Sequence, residues 1–178
     1  MAILEILHYP DNRLRQKGED VEIFDESLRI IVKDMLETMY QEKGIGLAAI
    51  QVNIIKNIIV IDVSEKRNEP LILINPVITN KENKIKFEEG CLSVPGFYEK
   101  VDRYELIEYE AQDKEGQKYS GKAEGLLAVC IQHELDHLNG KLFVDYLSLT
   151  KRENIEKKIQ KMEAQGIKAE RKNIPYSI

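Results

Sequence analysis

The stretch His133-Glu134-Leu135-Asp136-His137 carries two imidazoles at a spacing that puts both on one face of a helix, with a carboxylate between them. Both rings can then reach one metal ion, while Glu134 is placed to hold a proton rather than the metal, as in H-E-x-x-H metal hydrolases. The chain has three His, and two of them are here. The plain alternative is a solvated helix with two incidental histidines. A catalytic site of this kind needs a third protein ligand and an open position. The extended pattern H-E-x-x-H-x-x-G-x-x-H fails, because Gly140 is in place but Phe143 stands where the last His belongs. A Glu from a following helix, Glu156 or Glu163, could serve. Cysteine is the better candidate, since a thiolate is a strong, soft ligand.

The chain has two Cys to consider. Cys130, His133 and His137 share a helical stripe, but seven residues of helix rise about 10.5 Å. Each ligand atom must come within ~2.0–2.3 Å of the metal, so Cys130 cannot join both histidines. It is read instead as a small buried residue of the motif helix. Cys91 lies in Glu89-Gly90-Cys91-Leu92-Ser93-Val94-Pro95, bounded by Gly and Pro as a loop or strand end would be. From there its thiolate can fold over a helix, so the candidate ligands are Cys91, His133 and His137.

A third signal is Gly44-Ile45-Gly46-Leu47-Ala48-Ala49-Ile50-Gln51. Gly44-x-Gly46-x-x-Ala49 imitates a dinucleotide fingerprint, which must follow a strand and open a helix. Here a helical pattern (Leu28, Ile31, Met35, Met39) precedes it and the run Ile58-Ile59-Val60-Ile61 follows. The better reading is a helix ending with Gly44 as its C-cap, then an extended segment whose small residues admit a ligand backbone. Gln51 closes it with a neutral amide donor.

Together these three segments resemble the peptide deformylases, whose signatures are G-x-G-x-A-A-x-Q, E-G-C-L-S and H-E-x-D-H in that order. Gly44 to Gln51, Glu89 to Ser93 and His133 to His137 match without substitution. Ile6-Leu7-His8-Tyr9-Pro10, Ile74-Asn75-Pro76 and Gly140-Lys141-Leu142-Phe143 extend the likeness over nearly the whole chain. Many bacterial members carry an Arg where this chain has Phe97 and Tyr98, and relatives often have an acidic residue at the position of Lys43. Both departures bear on side-chain preference and neither on the chemistry.

The resemblance implies removal of the formyl group from N-formylmethionyl peptides of nascent chains, releasing formate. Glu134 would be the general base and then the acid. The oxyanion donors would be the Gln51 amide and the Leu92 backbone N–H. Gly44-Ile45-Gly46 can pair with an extended peptide as an added strand. The family match puts an apolar pocket for the Met side chain near Ile45, Leu126, Val129 and Cys130, although Leu126 and Val129 would serve equally well as plain core. A Cys and two His suit Zn(2+), Fe(2+), Co(2+) or Ni(2+), and the resemblance favours Fe(2+). Two other classes stand beside this one: an H-E-x-x-H zinc metallopeptidase with a downstream Glu ligand, and a non-catalytic structural zinc module.

The elements that must position these groups indicate an α+β fold, with antiparallel or mixed sheets packed around the motif helix. A helix of about 25–43 precedes strand-like runs at 57–63, 70–79, 84–90, 103–111 and 117–123. Asn83, Gly96 and Gly116 sit at or near plausible turns. A helix of about 124–138 carries the motif, and the family resemblance implies that its Leu126, Ala128 and Ile131 side packs against the sheets. A last helix of about 149–172 could open with Thr150 and Glu153 as a capping box.

At 178 residues the chain can form one domain with a good core. It has no leader-like or long apolar run, so no membrane is expected, and DNA is not an expected partner. Two distant cysteines suit a reducing, cytoplasmic setting. His8 is read as surface or packing. Lys151 to Lys172 holds eight basic and four acidic residues, a net of +4 within a chain of −5. Because the family acts on chains leaving the ribosome, ribosomal RNA is the natural partner for that stretch. The alternative is a helix docked through Ile155, Ile159 and Met162 with its charges in water.

Overall fold

The computed structural model of the chain describes residues 2–167. Helix α1 (Glu26–Gln41) starts at Asp25, whose side chain accepts from the Leu28 N–H, and buries Leu28, Val32, Met35 and Met39 at helical spacing. Five strands follow: β1 (Gly46–Ala48), β2 (Ile58–Ile61), β3 (Leu71–Cys91), β4 (Val94–Gln112) and β5 (Lys118–Glu124). They form one sheet in the order β1-β2-β3-β4-β5, antiparallel throughout. The architecture is α+β as expected, but the named strands contain no mixed pairing; the parallel contact described is an isolated bridge between Glu19 and Lys56.

Strand β2 is apolar at every position because helices cover both its faces. Side chains alternate along a strand, so Ile59 and Ile61 pack with Leu73 on the side of helix α2 (Gly125–Leu138). Ile58 and Val60 pack with Ile74 against α1. Helix α2 is apolar on most of its circumference, as a helix enclosed by its fold must be. Gln132 locks it to β4 in both directions: the Tyr104 N–H donates to Oε1 at 2.9 Å and Nε2 donates to the Tyr104 carbonyl at 2.7 Å.

Four local expectations are corrected. The runs 70–79 and 84–90 belong to one strand, β3, because Asn83 takes φ 57° without breaking the pairing. The connection to β4 is the two-residue turn Leu92-Ser93 between paired Cys91 and Val94, while Gly96 lies inside β4. Helix α1 closes at Glu42, with Lys43 rather than Gly44 in the left-handed region at φ 56°. Helix α3 (Leu149–Ala164) is capped by Ser148, whose hydroxyl accepts from the Lys151 N–H, so Thr150 and Glu153 do not open it. It ends at Ala164, with Gly166 left-handed behind it; the part of the expected helix past 167 lies outside the described residues. Ile155 and Ile159 are buried with Met162 packed beside them, as a docked amphipathic helix requires.

A candidate metal centre facing a buried carboxylate

Helix α2 brings His133 and His137 together, with Nε2 atoms 3.2 Å apart. The end of β3 places Cys91 Sγ 3.3 Å from His137 Nε2. All three ligand atoms lie within 4.8 Å of one another, and all three residues are buried. Cys130, four residues before Glu134 on the same helix, is apart from this group, and its Sγ points at the Ile45 carbonyl at 3.9 Å. Glu156 and Glu163, the alternative third ligands, are engaged elsewhere: Glu156 accepts from the Tyr9 hydroxyl at 3.4 Å, and Glu163 lies 3.9 Å from His8.

The tautomer of His133 follows from its partner. Glu89, fully buried, sits 2.7 Å from Nδ1, so the proton there points at a carboxylate and Nε2 is the ring atom turned toward Cys91 and His137. Arg103 grips the same carboxylate with two bonds, Nε to Oε2 at 2.6 Å and Nη2 to Oε1 at 2.9 Å. Its Nη1 donates to Asp136 at 2.7 Å, and the Tyr146 hydroxyl donates to that same Asp136 oxygen at 2.8 Å. Burial pushes Glu89 up, but the bonds from Arg103 and His133 outweigh it and leave its pKa below the usual range. Burial and the neighbouring His133 hold His137 well below the ordinary imidazole value, hence neutral. Two Nε2 atoms and a thiol converging in a buried space form a donor set that fits a divalent cation.

Glu134 lies next to this group with a different character. Its Oε2 is buried without a hydrogen-bond partner among the described residues, and so is His137 Nδ1. Burial raises the Glu134 carboxyl to about 7, partly opposed by His133. Gln51 is oriented by its own backbone neighbour, because the Ala48 N–H donates to Oε1 at 2.8 Å. Its Nε2 then faces Ser93 Oγ at 3.1 Å and Cys91 Sγ at 3.6 Å. Leu92 occupies the turn between those two residues and is buried.

The glycine segment forms the wall. A Cβ on Gly46 would stand 2.5 Å from Glu134 Oε1 and 2.8 Å from Cys130 Sγ, and one on Gly44 would stand 2.6 Å from Leu92 Cδ1. Ile45, Val129 and Cys130 are buried in one apolar cluster, with Leu126 partly exposed against it. Phe97 packs into the cluster around Val94 and Phe143, and the Tyr98 ring covers Gly90, where a Cβ would meet it at 2.5 Å. Sequence reasoning gave no role to Glu89, Ser93, Arg103 or Asp136. Glu89 and Ser93 stood inside the quoted motif. Arg103 lies 14 residues from Glu89 and 33 from Asp136, and no local pattern announces such a pairing.

A buried Cys-His-His group beside a carboxylate, on a helix enclosed by an antiparallel sheet, marks the class as metal-dependent hydrolases. The comparisons narrow that class. The family model described as polypeptide deformylase matches residues 3–153. A peptide deformylase of Pseudoalteromonas translucida is 58% identical over 161 residues, covering 90% of this chain and 96% of its own length. One from Pseudomonas aeruginosa is 55% identical over 166 residues, or 93% and 99% of the two chains. The crystal structure of a peptide deformylase from Legionella pneumophila superposes with TM-score 0.89 at 45% identity, covering 93% of this chain and 98% of its own. A structure from Ehrlichia chaffeensis, in complex with actinonin, gives 0.88 at 43%, covering 92% and 99%. The chain belongs to the polypeptide deformylase family. It is a metal-dependent hydrolase that removes the N-formyl group from nascent formylmethionyl peptides. No helix among the described residues is long and apolar enough to cross a membrane.

Proposed function

We propose that Cys91 Sγ and the Nε2 atoms of His133 and His137 hold the metal, with Glu134 as the proton carrier of deformylation. The observation that carries this reading is the mutual approach of the three ligand atoms beside a carboxylate oxygen that has no partner of its own. When bound, a divalent ion supplies Lewis acidity and makes hydroxide available near neutral pH. Glu134 accepts a proton at Oε2 as the water attacks the formyl carbon, then returns it to the leaving amine, giving formate and a free N-terminal Met. Gln51, with its amide turned toward Cys91 by Ala48, and the Leu92 N–H donate to the oxyanion. The peptide lies along Gly44-Ile45-Gly46, where small residues let its backbone approach, and its Met side chain enters beside Ile45, Leu126, Val129 and Cys130.

A thiolate with two imidazoles suits Fe(2+), Zn(2+), Ni(2+) and Co(2+) alike, and the likeness in all three motifs favours Fe(2+) among them. Anaerobic purification, metal analysis and formate release from formyl-Met peptides test this directly. Air should inactivate the iron form and spare the nickel form; equal tolerance of both would remove the iron assignment. The protein works in the cytoplasm on chains leaving the ribosome, and the exposed Lys157, Lys158 and Lys161 of α3 provide the ribosome contact. Neutralising these three lysines should weaken salt-sensitive ribosome binding while sparing hydrolysis of a small formyl-Met peptide. Unchanged binding would leave α3 a packing element.

A further inference from the structure

The loop after β2 carries an exposed arginine whose contacts lead straight back to the peptide segment. Arg67 Nη1 donates to the Gly44 carbonyl at 2.7 Å and Nη2 to the Lys43 carbonyl at 3.2 Å. Both acceptors follow the C-terminus of α1, where unpaired carbonyls concentrate negative charge and a guanidinium is favoured. Arg67 itself sits at φ 51° and Lys43 at φ 56°, a region that L side chains rarely adopt.

The loop that presents Arg67 is wound around one buried carboxylate. Asp62 Oδ1 accepts from the Ser64 N–H at 2.9 Å and from its hydroxyl at 2.6 Å. Oδ2 accepts from the Tyr40 hydroxyl at 2.6 Å and the Glu69 N–H at 3.2 Å. Arg67 N–H closes a turn onto the Ser64 carbonyl at 3.2 Å, and the Asp62 N–H holds the Ile45 carbonyl at 2.8 Å. The last turn of α1, the loop and residues 43–45 therefore form one closed ring of hydrogen bonds. On the other side of Gly44 stands Leu92, with no room for a Cβ between them.

We propose that Arg67 is a positioning residue for the formyl-peptide: its guanidinium fixes the Lys43-Gly44-Ile45-Gly46 backbone at the spacing from Leu92 that a peptide strand requires. The proposal rests on the reading that the peptide lies along Gly44-Ile45-Gly46. Arg67 touches neither the metal ligands nor Glu134, so its loss loosens the recognition of backbone past the formyl-Met unit and leaves the chemical step intact.

Steady-state kinetics of Arg67→Ala and Arg67→Gly on formyl-Met-Ala-Ala and on formyl-methioninamide test this. Both variants should raise KM for the tripeptide about tenfold with kcat within about twofold, and leave kcat/KM for the amide within about twofold of wild type. Backbone amides of Ile45 and Gly46 should exchange roughly tenfold faster, with α2 unchanged. The glycine variant separates positioning from a turn requirement, since glycine adopts the left-handed conformation freely. A wild-type tripeptide KM in Arg67→Gly, or equal losses on both substrates, would overturn the proposal. Wild-type enzyme that gains nothing from the tripeptide over the amide would remove the underlying reading, and this proposal with it.

Discussion

The two sides of the metal group are built on opposite rules. On the His133 side each buried polar group is matched: Glu89 meets His133 and Arg103, Arg103 meets Asp136, and Asp136 meets Tyr146. On the other side Glu134 Oε2 and His137 Nδ1 are buried with no partner among the described residues. Saturated networks fix geometry. A buried carboxylate oxygen with no partner among the described residues suits the proton-carrying role proposed for Glu134. The contrast divides one site into a matched half that fixes geometry and an unmatched half where the reaction is proposed to occur.

Substitutions on each side should sharpen that division, beginning with the junction between them. Cys91→Ala removes the proposed ligand that lies against the two histidines, so metal and formate release should be lost together in metal analysis and activity assay. Metal retained at wild-type stoichiometry would remove Cys91 from the ligand set. Glu134→Gln should lower turnover by about 10²–10⁴ while metal content and thermal midpoint hold, because Oε2 has no partner among the described residues to lose and the other oxygen is kept. Near-normal turnover would dissolve the reacting half. Glu89→Gln should behave in the reverse sense: the Arg103 guanidinium is left buried with half its charge partners, costing about 3–5 kcal/mol in denaturant unfolding. Metal affinity should fall about 10–100-fold because His133 loses its orienting anion. Wild-type stability in Glu89→Gln would show that the network does not orient anything.

The smallest effect lies outside both halves, at Asp62. Burial pushes this carboxyl up, but the bonds from Ser64, Tyr40 and Glu69 prevail and leave its pKa below the usual value. A carboxylate depressed in the folded state contributes stability that is complete above its ordinary unfolded value, about 4. That contribution disappears as pH falls through the lower native value. Asp62→Asn should therefore be less stable than wild type at neutral pH, and the gap in thermal midpoint should close in acid. A gap that widened on acidification would reverse the assignment.

The sequence made the motif residues that meet here legible, and the network behind His133 hardly at all. His133, Glu134 and His137 were legible because a helix fixes which neighbours share a face. The expected limits of about 124–138 for their helix lie within a residue of Gly125–Leu138. Cys91 was legible by elimination between two cysteines. The network through Arg103 was not, because the β3–β4 register brings it to Glu89 and the packing of α2 on β4 brings it to Asp136, and both are tertiary properties. The same cause split β3 in two: Asn83 reads as a turn residue, yet thirteen paired positions with β4 hold the strand through it. Lys43 took the conformation expected of Gly44 because Gly44 was needed one step on, against Leu92. Local propensity proposes, and the nearest steric wall decides.

The wall at Gly46 has a consequence for any compound that fills this site. Glu134 Oε1 and Cys130 Sγ stand closer to the missing Cβ than a methyl group can approach. An inhibitor that takes its hold from the backbone of this segment touches a surface that mutation cannot thicken without displacing Glu134 itself. Resistance would have to arise somewhere else, in the apolar rim or in the supply of formylated substrate, since at this position escape and loss of the enzyme are the same event.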